Sequence, residues 1–266
     1  MRVLFIGDIV GRPGRRLMHD LLPGLRREYM PDFIIANGEN AAAGYGITQS
    51  TAQELFDAGV DCLTMGNHVW AQREAHQLLD RDSRIVRPYN YPPGVPGTGV
   101  GVYEAGSAGS IGVINLLGRV FMDPVDCPFR AAAEAVGRLA GQCNCIIVDM
   151  HAEATSEKAA LAHYLDGQVT AVLGTHTHVQ TADEEVFAGG TAFISDAGMT
   201  GPRHTIIGVK PAIVVRRFLT GLPARFEVPT GGPAQMCGVV VDSEPQGVAA
   251  TSIRRFRVLT DGPAEV

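Results

Sequence analysis

The sequence predicts a mixed α/β fold in which two sheets pack face to face with helices outside. Three observations carry this reading. Short apolar runs alternate with amphipathic helical stretches over the first part of the chain, the rhythm of βαβ units with parallel strands. After residue 205 the texture turns β-rich. In between, one apolar run after another stops at a Gly- or polar-rich turn that carries an oxygen or nitrogen donor.

Taken in order, residues 3–6 read as a strand and 14–29 as an amphipathic helix. Residues 33–36 are the next strand. Thr48 caps a helix that runs through Ala58, and Gly59 stops it. A strand over 61–65 and a short helix over 73–79 follow. Residues 87–101, rich in Pro and Gly, read as loop. Strands over 111–116 and 145–150 flank a helix near 129–139, and Thr155 or Ser156 is expected to cap a helix beginning near Glu157. Further strands fall at 169–173 and 191–195. Residues 211–218, 224–228, 237–241 and 251–258 are all expected to be strands. No repeat, low-complexity segment or linker interrupts the chain, so residues 1–266 are expected to form one domain, with a small helical elaboration between 40 and 90.

Composition narrows the function. At 266 residues, 45% of them hydrophobic, the chain can bury a full core. A formal charge of −6 argues against a broad footprint on extended nucleic acid, though not against a small anion held by cations. No apolar run reaches the roughly 18 residues of a membrane span, and the chain opens directly into a strand. A cytoplasmic protein without a signal peptide is the expectation. Five cysteines without a CxxC pair fit reduced thiols.

The chemistry lies in five turns: Gly7-Asp8, Asn37-Gly38-Glu39-Asn40, Gly66-Asn67-His68, Asp149-Met150-His151 and Gly174-Thr175-His176-Thr177-His178. In open α/β sheets ligands bind beyond the carboxyl ends of strands. Asp8, Glu39, Asn67 and His151 fall just past predicted strand ends. His176 and His178 are two apart and in extended backbone would point the same way. One Gly-Asp or Asn-Gly is ordinarily a turn, and an isolated Thr-His-Thr-His is compatible with an exposed strand. Recurrence at successive strand ends in one chain argues instead for a two-metal hydrolytic site. Carboxylate, amide oxygen and imidazole together suit Fe, Mn or Zn. Two such ions roughly 3.5–4 Å apart clamp a phosphoryl group and hold a hydroxide for in-line attack. His19, His76, His163 and His204 lie outside these runs and read as ordinary histidines.

The order Gly-Asp, Gly-Glu-Asn, Gly-Asn-His, His, Gly-Thr-His-Thr-His resembles the calcineurin-like metallophosphoesterase superfamily. Two departures are specific. Val10 stands where the usual Asp-x-His has histidine, and Gly38-Glu39-Asn40 replaces the usual Gly-Asp. With 11–15, 126–130, 151–158, 175–182 and 198–202, the chain is similar to the bacterial YmdB-like family of 2′,3′-cyclic-nucleotide 2′-phosphodiesterases, from residue 1 to about 255. That resemblance implies a four-layer α/β/β/α sandwich and a dinuclear centre, with Fe favoured and Mn or Zn open. It implies Asp8, Glu39, Asn40 and His178 on one metal. On the other it implies Glu39, Asn67, His151 and His176, with Glu39 bridging. His68 becomes the proton donor to a departing ribose 2′-oxygen as a metal-bridging hydroxide attacks phosphorus. The implied substrate is a small nucleotide phosphodiester, and a homo-oligomer is expected. The metal motifs alone leave open a broader phosphatase or nuclease, or a metal-stabilised regulatory protein. Arg12, Arg15, Arg119 and Arg130 are candidate phosphate grips. Asp149 and Asp196 are candidate orienters of the ligand histidines.

Overall fold

A computed structural model describes residues 1–245 and 247–261. Its elements run β1 (Arg2–Ile6), β2 (Asp8–Ile9), α1 (Gly11–Tyr29), β3 (Phe33–Asn37), α2 (Gln49–Asp57), β4 (Cys62–Thr64), α3 (Ala75–Arg81) and β5 (Ile85–Val86). Then come β6 (Val100–Glu104), β7 (Ser110–Leu117), α4 (Pro128–Leu139), β8 (Cys145–His151), α5 (Thr155–Tyr164) and β9 (Ala171–Thr175). The chain continues through β10 (Glu185–Val186), β11 (Ala192–Ile194), β12 (Met199–Pro202), α6 (Pro211–Thr220), β13 (Ala234–Ser243) and β14 (Ala250–Thr260).

The strands form two mixed sheets. One has eight strands in the order β2-β12-β13-β1-β3-β4-β5, with β14 also on β13; the other has six, β10-β11-β9-β8-β7-β6. β1, β3, β4 and β5 are parallel, as are β7, β8, β9 and β11. Period-two alternation sorts their side chains into layers. Val3, Phe5, Phe33 and Ile35 face inward and meet Ile111, Val113, Ile147 and Leu173 of the other sheet in one buried cluster. Leu4, Ile6 and Ile34 face the other way, against Leu17, Met18 and Leu55 of α1 and α2. Ile114, Leu116, Val148 and Val172 back onto Ala132, Ala135 and Leu161 of α4 and α5. Three apolar interfaces therefore separate four layers, α/β/β/α.

Thr48 caps α2 as expected: its hydroxyl accepts from the Thr51 amide. Residues 40–90 hold α2, α3, β4 and β5.

Several expectations fail. Residues 211–218 are not a strand but the body of α6. Ile213, Val214 and Val215 favour β structure, yet Pro211 at the first helical position and left-handed Gly221 (φ 67°) just past the end are helix punctuation. Residues 224–228 form no strand and run as irregular chain beside the cavity described below. The Pro/Gly loop stops at Val100, which already belongs to β6. α5 starts at Thr155 with Ala154 at its N-cap, and no side chain caps it.

Candidate metal centre

The carboxyl ends of the parallel strands from both sheets converge on one seam. Asp8 follows β1 and opens β2; Glu39 and Asn40 follow β3; Asn67 and His68 follow β4. His151 is the last residue of β8 rather than beyond it, and His176 and His178 follow β9. Asp8, Glu39, Asn40 and His151 are buried in consequence. Glu39, His151 and His176 each offer a donor atom within 4.8 Å of the others.

His176 and His178 do not share an extended strand. Both take positive φ, 101° and 65°, strained for residues with a Cβ. The strand ends at Thr175, and Asp196 holds the turn that follows. Its carboxylate accepts from the Thr177 amide at 3.0 Å and the Thr177 hydroxyl at 2.8 Å. Lys158 and Asp196 form an ion pair at 2.9 Å, each only 1% exposed. The two histidines diverge as a result, His176 toward His151 and His178 toward Asp8 and Asn40.

Each of the three imidazoles gives up one nitrogen to an outer acceptor. The Thr175 hydroxyl donates to Asp149 at 2.6 Å, so it must accept from His151 Nδ1 at 2.8 Å. His176 Nε2 lies 3.1 Å from Glu153, and His178 Nδ1 lies 2.9 Å from the Ile207 carbonyl. In the neutral rings that a metal requires, the inner nitrogens are the lone pairs. That of His151 faces Asn67 Oδ1 at 3.0 Å, His176 Nδ1 at 3.1 Å and Glu39 Oε1 at 3.2 Å. This crowding calls for positive charge among the atoms: a proton on His151 in the metal-free protein, or a cation that takes its place.

Three further observations fit a cation. Buried Asp8 Oδ1 has no hydrogen-bond partner, His178 Nε2 being 3.6 Å away. Gly66 lacks the Cβ that would run into Glu39 Oε2 and His151 Nε2. The donors are the oxygens and imidazoles that first-row ions take.

The acid–base balance of these groups follows from the same crowding. Burial disfavours charge on His151, but Glu39, then Asp8 and Asp149, outweigh it and raise the ring to about 9. Burial and the neighbouring His151 push His176 down to about 4. Burial opposes the charged carboxylate of Glu39, yet His151 and His68 hold it well below the usual range.

Asn40 departs from its expected part. It turns Nδ2 toward Glu39 Oε1 (3.1 Å) and His178 Nε2 (3.2 Å), and Oδ1 toward His68 Nδ1 (2.7 Å). An NH2 group does not bind a cation, so Asn40 joins the ligands only with its amide turned over. His68 Nδ1 faces Asn40 Oδ1 and, at 3.2 Å, Glu39 Oε1.

Asp149 and Asp196 each reach the histidines through an intervening threonine. Asp149 sits on the inner face between the sheets and also accepts from Asn37 Nδ2 at 3.0 Å and from Thr64. It reaches His151 only through Thr175, while Asp196 reaches the histidines only through Thr177. Asn37, Thr64, Asn115 and Thr175, missed by sequence reasoning, continue the inward parity of β3, β4, β7 and β9 into this polar base. Buried polar residues closing apolar strands were the available signal.

The site opens into a cavity of about 810 Å³ lined by His68, His176 and His178 together with Tyr45, Arg225 and Phe226. Arg12, Arg15, Arg119 and Arg130 are not among the described residues that line it. Arg15 is instead engaged with Glu54 and the Ala41 carbonyl.

Similarity to known proteins follows the same lines. A Bacillus subtilis (strain 168) protein named 2′,3′-cyclic-nucleotide 2′-phosphodiesterase is 46% identical over 261 residues, 98% of each chain. The crystal structure of a hypothetical protein from Thermus thermophilus superposes with a TM-score of 0.91 at 43% identity, covering 99% of this chain and 100% of that one. That of a novel phosphatase from Mycoplasma pneumoniae gives 0.92 at 34% identity, covering 99% and 95%. The family model described as YmdB-like protein matches residues 4–256, and the chain belongs to that family.

Proposed function

We propose that this chain is a metal-dependent phosphodiesterase that opens 2′,3′-cyclic nucleotides at the 2′-oxygen and releases 3′-nucleotides. The observation that carries the proposal is the ring of inward-facing imidazole nitrogens of His151, His176 and His178 around the Glu39 and Asp8 carboxylates. The full-length similarity to a phosphodiesterase so named supports the substrate.

Two groups share Glu39. Asn67, His151 and His176 would hold one ion with it; Asp8, His178 and, with its amide turned, Asn40 would hold a second. Fe is the favoured metal, with Mn or Zn compatible with the same donors. When bound, such a pair supplies Lewis acidity, charge neutralisation for the phosphodiester and a water acidic enough to attack near neutral pH.

The chain's own residues do the rest. Thr175, Glu153 and the Ile207 carbonyl fix the three imidazoles in orientation. A ribose 2′-oxygen leaves poorly as an alkoxide and needs a proton. His68 lines the cavity, and its Nδ1 is engaged by Asn40 and Glu39, so Nε2 is the nitrogen that delivers the proton to that oxygen.

The test is a turnover panel of 2′,3′-cAMP, 3′,5′-cAMP and AMP with Mn²⁺- or anaerobic Fe²⁺-loaded protein and a Glu39→Ala control. Turnover of 2′,3′-cAMP foremost, lost in the control, is expected. Preferential turnover of AMP would favour the phosphatase reading that likeness to the Mycoplasma pneumoniae structure also allows.

A further inference from the structure

We infer that Tyr45, with Phe226 across the cavity, is the platform on which the substrate's nucleobase stacks. The inference rests on the proposed 2′,3′-cyclic-nucleotide chemistry and assigns the part of the site that reads the nucleoside rather than the phosphate.

Tyr45 is 56% exposed and Phe226 45% exposed, so both rings have faces free to take a ligand. Both line the cavity that opens onto His68, His176 and His178. Tyr45 already lies against the His68 ring, centroids 4.3 Å apart. It is held in place by backbone. Gly44 and Gly46 on either side take φ of 91° and 83°, which a side chain would resist. Gln72 donates to the Tyr45 carbonyl at 2.7 Å, and the Gly46 amide donates to the Glu39 carbonyl at 2.6 Å. The segment bearing Phe226 touches this turn, since a methyl added at Gly44 would lie 2.6 Å from Val228 Cγ2. The Arg217 guanidinium sits over the Phe226 ring, 5.1 Å from its centroid.

The stereochemistry of the substrate does the rest. If the 2′-oxygen departs toward His68, C2′ lies beside His68. C1′ is its bonded neighbour and carries the base. The base therefore projects beside His68, and Tyr45 is the cavity-lining ring in contact with His68. Had the 3′-oxygen been the leaving group, C4′ and its hydroxymethyl would occupy that place, and an aromatic ring would gain little. The surrounding wall is largely apolar, including Ala42, Val209 and Val228, so stacking rather than hydrogen-bond reading sets the preference. Every base is accepted, and purines are favoured over pyrimidines for their larger face.

The test compares 2′,3′-cAMP, 2′,3′-cUMP and a base-free analogue, methyl riboside 2′,3′-cyclic phosphate, on wild type, Tyr45→Ala, Tyr45→Trp and Phe226→Ala. The metal-loaded holoenzyme is used throughout. Tyr45→Ala is expected to raise KM for 2′,3′-cAMP by about 5- to 150-fold, the range of one lost base stack, with a smaller change in kcat. The increase should be smaller for 2′,3′-cUMP and at most about twofold for the base-free analogue. Tyr45→Trp should restore KM, and Phe226→Ala should show the same ordering at lower amplitude. An equal loss on the base-free analogue would mean that Tyr45 only orients His68, and would overturn the inference. So would an unchanged KM for 2′,3′-cAMP in Tyr45→Ala. Wild type that turns over none of the three would remove the underlying reading, and this inference with it.

Discussion

Lys158→Met removes one partner of the buried ion pair beneath the histidine turn while keeping the length of the stem. At 2.9 Å separation and an effective dielectric near 20, the pair's Coulomb attraction is about 6 kcal/mol. The attraction is lost in the variant, but the hydrogen bonds Asp196 keeps, from the Thr177 amide and hydroxyl and from the Gly198 amide at 2.8 Å, stabilise the remaining carboxylate in part. A loss of about 3–5 kcal/mol is therefore expected, the range for a buried charge deprived of its partner. That is a large share of the roughly 5–15 kcal/mol a domain has in total. The loss should reach function as well, because Asp196 holds the turn that carries His176 and His178 at positive φ. Urea unfolding of metal-free protein measures the first effect, and metal content after dialysis against limiting Mn²⁺ the second. Pairing Lys158→Met with Asp196→Asn should destabilise less than the two singles combined, since no unpaired charge remains. A Lys158→Met variant within about 1 kcal/mol of wild type, with full metal content, would refute the reasoning.

Three other outcomes follow from the site. His68→Ala should bind metal normally and lose about 10²–10⁴ in kcat on 2′,3′-cAMP, but much less on bis-p-nitrophenyl phosphate, whose leaving group needs little protonation; equal losses on both would remove the acid role. Gly66→Ala places a methyl group into Glu39 and His151, so metal content by elemental analysis should fall sharply, and retention of two ions per chain would contradict the placement. In metal-free protein His151 is raised to about 9, with burial opposing and Glu39 prevailing. Its stabilisation is fully present below the unfolded imidazole value of about 6.5 and is lost as pH climbs to about 9. Metal affinity should rise across the same window as the proton is displaced; urea midpoints and metal titrations between pH 6 and 9 check both.

Much of this was legible in the sequence because the site is built from strand ends. Asp8, Glu39, Asn67, His151 and His176 each close an apolar run, and chain order alone aligns them. The apolar runs Val3–Ile6 and Ile111–Leu116 were equally local signals of strands. What the sequence hid depended on tertiary contacts or on competing local signals. The β-branched Ile213-Val214-Val215 masked α6, although Pro211 and Gly221 marked its ends. Spacing placed His176 and His178 on one face of a strand, but Asp196, eighteen or more residues further on, turns the chain between them. The Asp149 base draws on β3, β4, β7, β8 and β9 together, and no single run reveals it. Tyr45 and Phe226 are isolated aromatics in irregular segments, without any periodicity to distinguish them. The amide orientation of Asn40 depends on three neighbours from three different turns.

The most direct test of the central claim is the identity of the product formed from 2′,3′-cAMP by the metal-loaded protein, read by phosphorus NMR. Cleavage at the 2′-oxygen, with His68 supplying its proton, predicts 3′-AMP as the sole product. Formation of 2′-AMP, or no conversion by protein carrying two ions per chain, would contradict it.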